Sequence, residues 1–169
     1  MYNRRIWVIL CISAVFTGAA SAEMVNIDLG SGVNQAGLYV EWSDGFIADF
    51  DVSYGAGTGE SITGIELLDF VEANTTLPTQ RTVYSWGVSI DGISYEGHSD
   101  PGYVGGEDWW HFWVNDGSGW ASPAYGIADW TMSSGQSEAF IYGHADAPVP
   151  EPATLMLLGI GGLLLRKKR

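Results

Sequence analysis

At 169 residues and a formal charge of −13, the chain has room for one domain of ordinary size. The charge is unevenly spread: residues 23–147 hold one arginine, Arg81, no lysine and nineteen carboxylates, a formal −18. A surface of that sign repels phosphate backbones and anionic lipid, which excludes nucleic acid as a partner.

The chain opens with Arg4 and Arg5, an apolar stretch from Ile6 to Phe16, and Ala20-Ser21-Ala22. A basic n-region, an apolar h-region and a small-residue box read as a secretory signal peptide over residues 1–22, cut after Ala22. An uncleaved anchor fits less well, because the apolar run is short. The only cysteine, Cys11, leaves with the signal, so the mature chain has no disulfide and no thiolate ligand.

Residues 23–147 are expected to be a secreted, acidic, mainly β domain. Nineteen of these 125 residues are glycine, and the apolar residues come in short alternating runs. That pattern predicts an antiparallel sheet or sandwich of short strands with one covering helix, a small α+β fold. Strands at 38–42 and 46–52 flank a turn at Ser43-Asp44-Gly45. Thr63-Gly64-Ile65-Glu66 is a capping box, with Ile62 and Leu67 placed as a hydrophobic staple. Ile65, Leu68 and Val71 carry the helical spacing to about Ala73, and 74–79 is loop. Strands at 81–90 and 93–95 flank Asp91-Gly92, a type I′ signature. A further strand, 109–114, ends at Asn115-Asp116-Gly117-Ser118-Gly119. Segments 126–132 and 138–142 flank Ser133-Ser134-Gly135-Gln136 as a last hairpin.

Chemistry is faint in this stretch. His98, His111 and His144 have no metal-ligand spacing, so no metal and no cofactor are expected. Asp49 with Asp51, and Glu107 with Asp108, are pairs that nineteen carboxylates produce by chance, and nothing sets two of them across a cleft as a glycosidase requires. The Asn115–Gly119 turn lacks the alternating ligands and closing glutamate of a calcium loop. No G-x-S-x-G elbow is present. The expectation is therefore a protein that is not an enzyme. Four of the eight tryptophans, Trp109, Trp110, Trp113 and Trp120, fall within twelve residues. They either build the core of a small sheet or form a platform that stacks sugar rings. Trp109 and Trp110 are adjacent on one strand and must point to opposite faces.

The far end is apolar and then basic. Ala153 to Leu165 is thirteen apolar or glycine residues, about 20 Å as a helix against a hydrocarbon core of roughly 30 Å. Arg166, Lys167, Lys168 and Arg169 follow; they snorkel, stay cytoplasmic and leave the acidic domain outside. A membrane helix fits better than a soluble core helix, which Gly159, Gly161 and Gly162 would weaken.

Val149-Pro150-Glu151-Pro152, the apolar run and the basic cluster together resemble the PEP-CTERM sorting signal, here over residues 148–169. The resemblance implies processing by exosortase after passage through the secretion machinery, with the C-terminal helix a transient hold in the inner membrane. It also implies delivery to the cell envelope, outer surface or exopolysaccharide matrix of a Gram-negative-type bacterium, with a structural or interaction role. A second resemblance rests on Thr58-Gly59-Glu60 before the helix, Tyr84-Ser85-Trp86-Gly87-Val88, Trp109-Trp110-His111-Phe112-Trp113, Trp120 and Gly126. Their order is similar to that in a group of small exosortase-sorted proteins of unknown role. More distantly, it is similar to the small β domain of transcobalamin-type corrinoid carriers. The alternative role it implies is a small-ligand or glycan-binding module, with exopolysaccharide or another glycan as partner.

Overall fold

The computed structural model describes residues 23–148. Ala22, the Pro150-Glu151-Pro152 tripeptide, the apolar run and the basic cluster Arg166–Arg169 lie outside the described residues.

The strands are β1 (Met24–Gly30), β2 (Asn34–Glu41), β3 (Ile47–Tyr54) and β4 (Ile62–Thr63), followed by helix α1 (Gly64–Asn74). After it come β5 (Thr79–Tyr84), β6 (Gly87–Tyr95), β7 (His98–Pro101), β8 (Trp110–Asn115), β9 (Trp120–Ala121), β10 (Thr131–Met132) and β11 (Gln136–Tyr142). The fold is mainly β with one short helix, as the alternation predicts. Six strands form one sheet in the order β1-β3-β2-β11-β8-β9, and three form a second in the order β5-β6-β7.

The six-stranded sheet is mixed, which corrects the antiparallel expectation. β1 lies parallel to β3, and β11 lies parallel to β2. The predicted last hairpin does not form. Of segment 126–132, only Thr131 and Met132 are extended, and they pair with Thr63 and Ile62 of β4. β11 instead enters the middle of the sheet, between β2 and β8. Its run Ala139-Phe140-Ile141-Tyr142 is apolar on both faces, and an interior strand is where such a run is buried twice.

The expected Asp91-Gly92 turn is also overturned. Both residues lie inside β6, where the register slips between Gln80 and Arg81 and leaves Asp91 as the extra residue of a bulge. Its carboxylate is occupied there, accepting from Ser89 Oγ at 2.9 Å and from Thr82 Oγ1. The chain turns at Ser85-Trp86 and at Glu96-Gly97, where both residues take positive φ (49° and 95°). Positive φ at both central positions defines a type I′ hairpin, and glycine carries the second without strain.

Alternation sorts the sheet's two faces. Leu38 and Val40, Phe50 and Val52, Phe140 and Tyr142, and Trp110 and Val114 point inward to one cluster that also takes Leu67, Leu68 and Val71 of α1. Ile65, expected inward, is only half-buried; Gly64 and Leu67 are the residues buried beside Leu68 and Val71. Trp42 joins the two sheets, its Nε1–H donating to the Ile93 carbonyl at 3.0 Å and its ring meeting Trp110 edge-on at 6.1 Å. The opposite face carries a smaller cluster of Tyr39, Ile47, Ala139 and Ile141, with Trp113 and Trp120 against it.

Candidate functional site

β8 is paired along its whole length on one side only. β11 pairs with it from Trp110 to Asn115, whereas β9 takes up just Val114 and Asn115. Gly143 N–H donates to the Trp109 carbonyl at 3.2 Å, which sets the phase of the antiparallel ladder. By its alternation, the main-chain groups of His111 and Trp113 face β11 and those of Trp110 and Phe112 face the free edge. A cleft of about 430 Å³ lies along that edge, between β8, β6 and the 122–127 segment.

Four aromatic side chains line the cleft and are exposed: Trp86 at 73 %, Tyr103 at 74 %, Trp109 at 40 % and Tyr125 at 44 %. Three are steadied by a second ring. Trp86 stacks on Tyr84 at 4.7 Å, Tyr125 stacks on Trp130 at 6.0 Å, and Trp109 meets His111 at 4.0 Å. Deeper in are Val88 and Ile90 of β6 and Trp110 and Phe112 of β8. The indole N–H groups of Trp110 and Trp113, both in the lining, are buried and make no hydrogen bond among the described residues. A buried donor left unsatisfied is costly by about 1–3 kcal/mol, and an acceptor brought by a ligand offsets that loss.

No carboxylate, lysine or arginine is among the cleft's lining residues. On a chain this acidic, that is an island without formal charge, edged by Ser89, Ser122 and His111 as polar groups. His111 is itself buried, with Nε2 3.3 Å from the Glu107 carbonyl and 3.5 Å from Glu107 Oε2. Apolar walls with a few convergent polar groups, at this volume, are the usual make-up of a small-molecule or cofactor site.

The structure separates the four tryptophans singled out by sequence. Trp109 and Trp110 meet at the cleft, one exposed and one buried, as adjacent residues must. Trp113 reaches it around the β8 edge, while Trp120 lies on the opposite face of the sheet, in a groove with Tyr39 and Asp49. Sequence reasoning missed Trp86, Tyr103 and Tyr125 as mouth residues. The available signal was their position: Trp86 in a hairpin tip, and Tyr103 and Tyr125 each next to a glycine or proline, where no strand face buries them.

The histidines are dispersed. His98 Nδ1 lies 2.6 Å from Asp44 Oδ2 and its ring stacks on Phe46 at 3.8 Å; His144 Nε2 lies 3.4 Å from Glu41 Oε1. Among the described residues no three His, Asp or Glu side chains are grouped as a metal ion needs. In the Asn115–Gly119 turn, Asn115 Oδ1 accepts from Gly117 N–H at 2.9 Å and Asp116 Oδ1 from Ser118 N–H at 2.9 Å, so both side chains are spent on the turn. Asp49, half-buried on the outer face, has its pKa raised by burial first and by the Asp51 charge second.

Comparison with known proteins identifies one part of the chain. Residues 148–169 match the model of the PEP-CTERM protein-sorting motif. The chain carries an exosortase sorting signal. The PEP-CTERM signal marks it as an exported protein of a bacterial cell surface or envelope, processed by exosortase at the membrane. Pro150-Glu151-Pro152 and Arg166 to Arg169 all fall within the matched span. No curated protein matches the chain. The likeness of the core to the β domain of transcobalamin-type carriers therefore rests on aromatic spacing alone. Among the described residues no helix is long and apolar enough to cross a membrane, and the expected membrane run, 153–165, lies beyond them.

Proposed function

We propose that residues 23–147 form a non-enzymatic surface module that binds a neutral glycan in the aromatic cleft, at the cell surface to which the PEP-CTERM signal delivers it. The observation that carries this reading is the cleft's composition: four exposed aromatic side chains around a lining without formal charge, on a domain of charge −18. Sugar rings present apolar C–H faces that stack on aromatic rings, and hydroxyls that accept from indole and hydroxyl donors. A cationic ligand would be drawn to the acidic surface outside the cleft, and a phosphate or uronate would be repelled from the domain as a whole. The exopolysaccharide matrix of the producing cell is the setting in which such a module would be an interaction component.

Retention on an immobilised neutral polysaccharide from the producing cells tests the reading. Trp86→Ala and Trp109→Ala remove exposed rings, so neither disturbs the core. Each is expected to weaken retention about tenfold, equivalent to about 1.4 kcal/mol. Equal retention of wild type and both variants contradicts it.

A further inference from the structure

The outer face of the six-stranded sheet has its own groove, of about 320 Å³, which shares no lining residue with the cleft. Tyr39, Ile47 and Trp120 line it, Gly37 adds no side chain to it, and Asp49 and Asp51 border it. One more residue belongs to the lining: Pro148, where the sorting signal begins. Pro148 is buried although it is the last described residue of the chain. A residue leading into an unattached linker would be exposed, so the domain already holds the first residue of the signal.

We propose that this groove is the seat of the chain's own sorting linker, with Pro150 packing after Pro148 against the Tyr39 and Trp120 side chains. The sequence from Ala147 to Pro152 is Ala-Pro-Val-Pro-Glu-Pro. Every second residue is a proline with fixed φ, and each of the others precedes a proline and is confined to extended conformations. Such a segment leaves Pro148 already straight and loses little conformational entropy on docking. A fixed φ with extended neighbours is the polyproline II conformation, about 3.1 Å per residue, so Pro150 comes within about 6 Å of the held Pro148, in reach of the same groove. Proline rings on aromatic faces are also how proline-rich segments are recognised elsewhere. The consequence is competition: exosortase must lift the tripeptide from the folded domain before it can process it.

The test uses the full unprocessed chain in detergent, with Cys11→Ser removing the native thiol. Ser137→Cys places a thiol in the groove lining, and Ser118→Cys places one in the exposed 116–119 turn. Adding Pro150→Gly is expected to speed maleimide alkylation at position 137 several-fold and to leave position 118 unchanged. The same rate at 137 with and without Pro150→Gly overturns the proposal. So does protection at 137 that grows with protein concentration and survives Pro150→Gly, because a second copy would then fill the groove. Asn26→Cys, on the groove's other margin, provides the same readout should Ser137→Cys disturb β11.

Discussion

Glu138 is the residue that least fits its surroundings. It is fully buried on the core face of β11, and neither carboxyl oxygen has a hydrogen-bond partner among the described residues. Gly64, the first residue of α1, lies over it; a Cβ there would collide with Glu138 Oε2 and with Ile127, which explains a glycine where alanine would favour the helix. Burial pushes the Glu138 carboxyl well above its ordinary range, and the charge of Arg81 pulls it back only in part. The sign follows from linkage. A carboxyl whose folded pKa exceeds its unfolded value holds its proton in the native state while the unfolded chain loses it. Its contribution therefore turns against folding as pH rises from about 4.3 toward the raised value. Glu138→Met is similar in length and needs no partner. It is expected to stabilise the chain by about 1–3 kcal/mol at neutral pH and by less near pH 4, read from urea midpoints. A loss of stability at neutral pH would mean that the carboxylate has a partner that burial and geometry do not reveal.

At the scale of elements, loop contacts join the two sheets alongside the core. The turn after β2 and the strand β7 meet through Asp44 with His98, and through Ser43 with Asp100, whose carboxylate accepts from Ser43 N–H at 2.8 Å and Oγ–H at 2.7 Å. The hydrogen bond from His98, with a further one from the Phe46 main chain, lowers the Asp44 pKa. A lowered carboxyl stabilises above its unfolded pKa and loses that contribution as pH falls through the folded one, so this link is expected to weaken below about pH 4. Asp44→Asn should flatten the acid side of the stability curve, measured by urea unfolding between pH 2 and 6; an unchanged slope would place the acid sensitivity elsewhere. Some elements were legible because their signals are local. Thr63 and Glu66 do form the reciprocal capping box, with Thr63 N–H donating to Glu66 Oε2 at 2.9 Å and Glu66 N–H to Thr63 Oγ1 at 3.3 Å. Ser43-Asp44-Gly45 does close the β2–β3 hairpin. Asp91-Gly92 misled because a turn dipeptide is overridden when both flanks can extend: β6 pairs with β5 and β7 at once, and the bulge absorbs the extra residue. Strand order was hidden for a related reason. Nothing local in residues 136–142 says that they pair with β2, about a hundred positions earlier.

Over the whole molecule, chemistry and charge are kept apart. Apart from the buried Glu138 and Asp100, the carboxylates lie toward the outside, Arg81 is taken up by Asp69 at 2.5 Å and Glu72 at 2.6 Å on α1, and no carboxylate, lysine or arginine lines the aromatic cleft. Sequence exposed half of that site. The Trp109-Trp110 pair announced one inward and one outward ring, but Trp86, Tyr103 and Tyr125 come to the same mouth only through the packing of the three-stranded sheet and the 122–127 segment against β8. The sorting signal was fully legible, because a tripeptide, an apolar run and a basic cluster act in linear order and need no fold. The most direct test of the cleft is tryptophan fluorescence of the exported protein, titrated with neutral oligosaccharides and with uronate-bearing ones at low and high salt. A saturable shift with the neutral series, insensitive to salt and abolished by Trp86→Ala with Trp109→Ala, is the predicted result. No shift from the folded protein, or a response to the uronates alone, would contradict it.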